Sequence, residues 1–339
     1  MSPHHQLATS PTPQLREWYR DRRALVIGGL GYIGSNLSDA LVDAGAHVTI
    51  VTPSRDRHRE MAAGFERRGA RVVEGDARAM AAMRDVVRAQ DAVFNVSGQS
   101  GAIQSVLDPI VDLDVNCSGN LAVLEALRLE NTAAKFVFAS SRLVYGAART
   151  PRVAEDHPLT PLCPHGAHKA MVEQYLAIYG RLHGIRSTTL RITNPYGPGQ
   201  PSDRRAYGVI NYLIHRALAG ESLPIYGDGA QVRDYVFIGD VVSALLVAGA
   251  DARSDGRVYN IASGTGIRMI DAARLIAEIA GAGRVEHQDW PPLVREIDTG
   301  DFVADVNRAA DEIGWRPTVA FADGLRQTVA RYTAQGANR

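Results

Sequence analysis

The sequence predicts an α/β fold: a doubly wound parallel sheet with a smaller, mostly C-terminal cap. Three observations predict it. From Arg23 onward, short β-rich runs alternate with amphipathic segments, the pattern of parallel βαβ units with helices on both faces. The first run, Ala24–Gly28, passes through a glycine-rich turn straight into a helical stretch. After Thr193 the alternation loosens into Gly/Pro-rich loops, Asn194–Asp203 and Tyr226–Gly229, as a cap built beyond the sheet would.

Taken in order, the residues up to about Tyr19 are polar, carry three prolines and lack a hydrophobic signal region. Residues 1–21 are therefore expected to be a flexible or loosely attached lead-in. The expected strands are Ala24–Gly28, His47–Val51, Arg71–Glu74, Ala92–Val96, Lys135–Ser140 and Ser187–Ile192, with Val258–Ala262 extending the sheet. Helical periodicity runs over Tyr32–Ala44, Arg57–Arg68, Met80–Ala89, Pro109–Glu130 and His165–His183. A further helix is expected at Met269–Ala280, followed by a mixed tail ending with Asp305–Gly314 and Ala322–Ala334. The reading is a nucleotide-binding domain over 22–193, to which 232–262 return, and a cap over 194–231 and 263–339.

Composition closes several doors. The 339 residues hold 37 basic and 37 acidic side chains, so the formal net charge is zero. That leaves no electrostatic footprint for nucleic acid or an anionic membrane. No run of 18 apolar residues exists to span a bilayer. Two cysteines, Cys117 and Cys163, make neither a disulfide framework nor a four-ligand zinc site, so no metal is expected. A reducing cytoplasm is the simplest compartment. Of the 37 basic residues 35 are arginine, and the two lysines are Lys135 and Lys169. Lys135 opens a strand and reads as a solvated end. Lys169 needs a different account.

The turn Gly28-Gly29-Leu30-Gly31-Tyr32-Ile33-Gly34 carries the first chemistry. Glycines at 28, 31 and 34 allow a tight turn, close approach of a pyrophosphate and close helix–strand packing, with free N–H groups at the helix N-terminus. In this strand–turn–helix setting the turn points to a dinucleotide and the domain is Rossmann-type. The second strand normally ends in an acid that holds the adenosine ribose. Here it ends Val51-Thr52-Pro53-Ser54-Arg55. Thr52 with Arg55 suits the 2′-phosphate of NADP, whereas a solvated Arg55 leaves the ribose held another way. Both readings stand at this point. Asp76, after the third strand, is placed to accept from the adenine amine or simply to cap a loop. Farther on, Ser140-Ser141 set two hydroxyls at a strand's carboxyl end, where open α/β sheets bind ligands. His165 and Lys169 are four residues apart, on one helix face.

These residues resemble an extended short-chain dehydrogenase/reductase of the NAD-dependent epimerase/dehydratase type, which acts on nucleotide-sugars. The matches run from Ala24 to about Tyr332. Beyond the glycine turn they include Gly75-Asp76, Asn116 within Asp114-Val115-Asn116, and Ser140-Ser141 followed by Val144-Tyr145-Gly146. They continue through Leu190–Pro198, Tyr226–Tyr235 and Gly314-Trp315-Arg316-Pro317. The resemblance implies that Gly28, Gly31, Tyr32, Ile33, Gly34, Thr52, Arg55, Asp76, Ala77, Val96 and Ser97 line a bound NAD, or NADP. It implies that Ser141 hydrogen-bonds the reacting sugar oxygen and that Lys169 binds the nicotinamide ribose and lowers the pKa of the neighbouring base. Asn194 and Arg233 would hold the substrate diphosphate, as an arginine fork suits, with Arg295 as a further phosphate contact. A homodimer through the helices 109–130 and 165–183 is also implied.

The departures narrow the chemistry. The family's catalytic tyrosine falls on His165, so no phenolate forms there. Three readings stay open. In the first, His165 is the general base: a neutral imidazole has a pKa of about 6.5, and a nearby lysine cation disfavours its protonation further. Its shorter reach would seat the sugar deeper. In the second, His168, Cys163 or Tyr196 supplies the proton path. In the third, the fold binds a dinucleotide or nucleotide-sugar without turnover. Arg142-Leu143 stand where 4,6-dehydratases of the family carry an Asp-Glu pair, which argues against that elimination. The expected activity is epimerisation through transient oxidation of a sugar hydroxyl by the bound nicotinamide cofactor. The alternative is an NADPH-dependent reductase of a keto-sugar nucleotide.

Overall fold

The computed structural model describes residues 11–99, 101–200 and 208–336. Residues 1–10 of the expected lead-in and the end of the 194–203 loop lie outside the described residues. The sheet strands β1 (Arg23–Ile27), β2 (His47–Thr52), β3 (Arg71–Glu74), β4 (Ala92–Asn95), β5 (Lys135–Ser141) and β6 (Ser187–Ile192) follow the expected spans closely. Then come β7 (Asn194–Tyr196), β8 (Ser222–Tyr226), β9 (Val232–Phe237), β10 (Arg257–Ile261), β11 (Gly266–Arg268) and β12 (Arg284–Gln288). Seven strands form one parallel sheet in the order β10-β6-β5-β4-β1-β2-β3. The order reverses between β1 and β4, which puts the switch-point crevice beyond their carboxyl ends.

Helices cover both faces. They are α1 (Pro13–Tyr19), α2 (Tyr32–Asp43), α3 (Arg59–Arg67), α4 (Met80–Val87), α5 (Ala102–Leu107), α6 (Pro109–Leu113), α7 (Gly119–Glu130) and α8 (Pro164–His183). The rest are α9 (Val209–Leu218), α10 (Ile238–Ala250), α11 (Met269–Ala280), α12 (Pro292–Glu296), α13 (Asn307–Ile313) and α14 (Phe321–Gly336). Strand residues alternate between the layers, as the two-residue pleat demands. Ala24 and Val26 of β1 join Leu37 and Leu41 of α2 and Val241 and Leu245 of α10. Leu25 and Ile27 join Met83 of α4, Val123 and Leu127 of α7, and Val172 and Leu176 of α8. None of the described helices is long and apolar enough to cross a membrane.

Four expectations are corrected. The lead-in is not loose throughout: Thr12 caps α1, and Tyr19 is fully buried, donating its hydroxyl to the Leu246 carbonyl at 2.8 Å. Lys135 is not a solvated end: it is buried, donates to Ser254 Oγ at 2.9 Å and pairs with Asp255, because the 252–255 turn folds over the strand's amino end. The stretch expected as one helix over 109–130 is broken by a single π turn, Asp114–Ser118, between α6 and α7. Lastly, 232–262 return to the large sheet only in part. β10 joins it and α10 covers it, but β9 pairs with β7 and β11 in a separate three-stranded sheet.

Candidate active site

The glycine turn closes as its sequence demands. Gly28 has φ +81°, a region that costs other residues strain, and a methyl group there would lie 2.7 Å from Ser97 Cα. A side chain at Gly34 would collide with the Gly28 carbonyl oxygen. The turn thus brings the start of α2 against β1 and sets it beside the β4 end, where Ser97 is held by Asn95. Gly31 caps α2 without a side-chain bond, so the first N–H groups of the helix remain available to an anion. Tyr32 and Ile33 open α2, the Tyr32 hydroxyl reaching the Gly197 carbonyl at 3.4 Å. Across the crevice, Gly98 leaves room for Asn116 Oδ1, which a methyl group would approach to 2.5 Å. That oxygen is buried and unpartnered, and Lys169 Nζ borders the same space. A cradle of glycines plus an unfilled buried acceptor fits a dinucleotide.

The ribose end is less open than its residues imply. Arg55 pairs with Glu66 at 2.9 Å, and its backbone N–H donates to Glu74. That pair is half-exposed, so a 2′-phosphate would only have to compete with Glu66 for the guanidinium. Thr52 is buried at the end of β2 and donates to the Ser54 carbonyl. Asp76 caps its own loop by accepting from the Arg78 N–H at 2.9 Å, and its carboxylate is forked on the Arg78 guanidinium. Those Arg78 bonds hold its pKa down against burial. An adenine amine would have to compete with Arg78 there. Ala77 follows Asp76 and packs on α7 beside Gly119. Val96 extends β4, its N–H donating to the Ile27 carbonyl at 3.1 Å.

Ser141, Lys169 and His165 converge beyond β5. Ser141 ends the strand and caps a short 3₁₀ turn, accepting from the Leu143 N–H at 3.2 Å. The first turn of α8 touches that turn directly, because Gly166 has no side chain to strike the Leu143 carbonyl. Lys169, four residues on from His165, donates to the Ala139 carbonyl at 3.0 Å and lies 4.7 Å above the Phe138 ring. Burial pushes its pKa down to about 8, opposed by Asp112, Cys117 and Glu173. His165 is buried, and burial with the Lys169 charge lowers its pKa against the pull of Asp112.

The other proton-path candidates fare unequally. Tyr196 is fully buried and donates to the Phe321 carbonyl at 3.0 Å, on the side of α14. Cys163 caps α8 beside Ser105 and the Gly166 amide, its thiol pushed up by burial. His168 faces Asp112, Nδ1 to Oδ1, at 2.7 Å.

Asn194 and Arg233 both lie near Arg142, which in the sequence shows only that a dehydratase's acid is missing. Asn194 Oδ1 accepts from Arg142 Nε at 3.3 Å, while its amide donates to the Asp234 carbonyl. Arg142 also donates to Thr299 at 2.7 Å and has no carboxylate partner among the described residues. Burial and the neighbouring Arg233 bring its pKa down to about 10. Arg233 pairs with Asp298 at 2.5 Å and donates to the Gly300 carbonyl. Two guanidiniums thus stand near each other at the cap side, Arg233 paired with Asp298 and Arg142 held by neutral groups. Arg295 stands exposed on α12, outside that bonded group.

Comparison with known proteins places this geometry. The model of the NAD dependent epimerase/dehydratase family matches residues 24–262. The UDP-glucose 4-epimerase of Mycolicibacterium smegmatis is 33% identical over 315 residues, covering 91% of this chain and 97% of the relative. Among solved structures, the Thermus thermophilus UDP-glucose 4-epimerase in complex with NAD superposes with a TM-score of 0.83 at 33% identity, over 92% of this chain and 99% of the other. The Thermotoga maritima UDP-glucose 4-epimerase with UDP-glucose gives 0.85 at 30%, with the same coverage.

Proposed function

Because the chain belongs to the NAD dependent epimerase/dehydratase family, we propose that it is a nucleotide-sugar epimerase in which His165 does the work of a base. The observation that carries this reading is the convergence of the glycine cradle, Ser141, Lys169 and His165 at the carboxyl ends of β1, β4 and β5. NAD, when bound, supplies a reversible acceptor for the hydrogen and electron pair of a sugar carbinol. The glycine turn and the α2 N-terminus would hold its pyrophosphate, and Lys169 with Asn116 would border its nicotinamide ribose. The Thermus thermophilus relative, 33% identical and in complex with NAD, favours NAD over NADP.

The chain's own residues handle the substrate. Arg142, Arg233 and Asn194 bind the diphosphate side and fix the sugar's entry. Ser141 hydrogen-bonds the carbinol oxygen. The neutral His165 imidazole takes the hydroxyl proton as the carbon is oxidised and returns it when the carbon is reduced from its other face. Net redox change is zero, so no second substrate is required.

The test is direct. The protein is purified, its bound nucleotide extracted and quantified, and the holoprotein incubated with UDP-glucose and a panel of other nucleotide-sugars while epimer formation is followed by proton NMR. Retained NAD and an epimer that appears without added cofactor are expected. Freely exchanging NADP with a reduced product would move the reading to a keto-sugar reductase, and bound NAD without turnover across the panel would leave a binding protein.

We also infer a homodimer. Ile110 is 72% exposed, Leu107 66% and Leu182 61%, and Met171, Ile178 and Leu182 recur on one face of α8. Exposed apolar side chains gathered along one helix face are the mark of an interaction surface. Light scattering is expected to give twice 36.6 kDa, and the pair Ile110→Glu and Leu182→Glu to give monomers. A wild-type monomer would refute the dimer.

A further inference from the structure

Asp112 belongs to none of the motifs legible in the sequence. It lies near the end of α6, has no solvent exposure, and reaches two imidazoles of α8. Its Oδ1 is 2.7 Å from His168 Nδ1. An ionised carboxylate only accepts, so His168 carries its proton on Nδ1. The other oxygen, Oδ2, has no hydrogen-bond partner and faces His165 Nδ1 at 3.5 Å. That nitrogen is likewise buried and unpartnered.

Two buried orphans facing each other admit one comfortable arrangement. With the proton on His165 Nδ1, a donor meets an acceptor. With the proton on Nε2, two lone pairs confront each other away from water, which buried groups avoid. We propose that Asp112 is the positioning residue that holds His165 as the Nδ1–H tautomer, leaving Nε2 unprotonated to receive the sugar hydroxyl proton. This rests on His165 being the base of the proposed epimerase. At 3.5 Å the pair is a small shift from a hydrogen bond, and catalytic contacts commonly tighten when substrate binds.

The electrostatics agree. The groups acting on the imidazole are Asp112 from α6 and His168 and Lys169 from α8, while Cys117 of the π turn and the cap residue Cys163 lie near the same Asp112 carboxylate. Lys169 opposes charging of His165, and Asp112 favours it. Burial acts to raise the Asp112 pKa, but the His165 and His168 imidazoles beside it outweigh that and hold the carboxylate below its usual range, so it stays ionised. When His165 takes a proton, the new imidazolium meets that carboxylate.

Long-range proton–nitrogen NMR of the holoprotein reads the tautomer, with the His165 signals assigned by their loss in His165→Gln. Protonated Nδ1 and bare Nε2 are expected in the wild type, and a shift toward Nε2–H in Asp112→Asn. In that variant kcat is expected to fall by as much as about 10⁴-fold, the loss seen when an acid orienting a catalytic histidine becomes an amide. KM should change little, and the acid limb of the pH profile should move to lower pH. An Nε2–H tautomer in the wild type, or an Asp112→Asn enzyme with unchanged tautomer and kcat, overturns the proposal. Should the variant fail to fold, the wild-type spectrum alone decides. Absence of turnover in the wild type defeats the epimerase reading instead, since the spectrum does not depend on it.

Discussion

Replacing His165 with glutamine is expected to lower nucleotide-sugar turnover about 10²–10⁴-fold, the contribution typical of a positioned acid–base group. Bound NAD should be retained, because the glycine turn and Lys169 stay intact. Glutamine keeps much of the imidazole's polarity and bulk but accepts no proton, so the loss reports proton transfer rather than packing. The pH profile supplies the second reading. Burial and Lys169 lower the His165 pKa from 6.5, so the neutral, active imidazole persists below that value and activity falls only at lower pH. On the alkaline side Lys169, brought down to about 8 by burial, loses its charge as pH rises through that value. Activity should therefore decline on both sides, with an acid limb below 6.5 that disappears in His165→Gln. Full turnover by that variant would remove His165 from the reaction and return attention to His168.

The features legible in sequence are those set by the local backbone. The glycine turn could be read because the strand-to-helix reversal at Gly28 demands a residue at φ +81°, and the demand is written at a fixed spacing. The sheet could be read because β1 is buried on both faces and so runs as continuous apolar residues. The helix α10 escaped for the same reason reversed. It is buried nearly all round, so it carries no polar stripe for a 3.6-residue period to reveal. What else escaped, at the site and away from it, depends on partners distant in the chain. Tyr19 meets Leu246 across 227 positions and His168 meets Asp112 across 56. Arg142 could be seen as a departure from a dehydratase pattern, but only Asn194 and Thr299 show what it holds.

Glu173→Ala is expected to destabilise the protein by about 3–5 kcal/mol, the usual cost of leaving one member of a buried ion pair alone. Glu173 lies on α8 one turn beyond Lys169. Its carboxylate accepts from Ser140 Oγ at 2.5 Å and from Arg191 Nη2 at 2.6 Å, and both charged side chains are about 5% exposed. Arg191 in turn donates to the Tyr145 hydroxyl and the Glu155 carbonyl at 2.9 Å each. Through these bonds α8 is tied to β5 one residue before Ser141 and to β6 beyond it. Removing the carboxylate leaves the Arg191 charge buried without a counter-ion and frees the helix that carries His165 and Lys169. A loss of that size is a large part of the 5–15 kcal/mol that holds a typical domain together. Urea unfolding should show the midpoint fall, and the double variant Glu173→Met with Arg191→Met should recover much of the loss, because it removes both charges at once. Turnover should not recover with it, since methionines cannot hold α8 against Ser140 by hydrogen bonds. A double variant as unstable as Glu173→Ala would mean that shape, not charge, fixes the helix. One that is stable and fully active would mean that Ser141 and His165 hold their alignment without this tie.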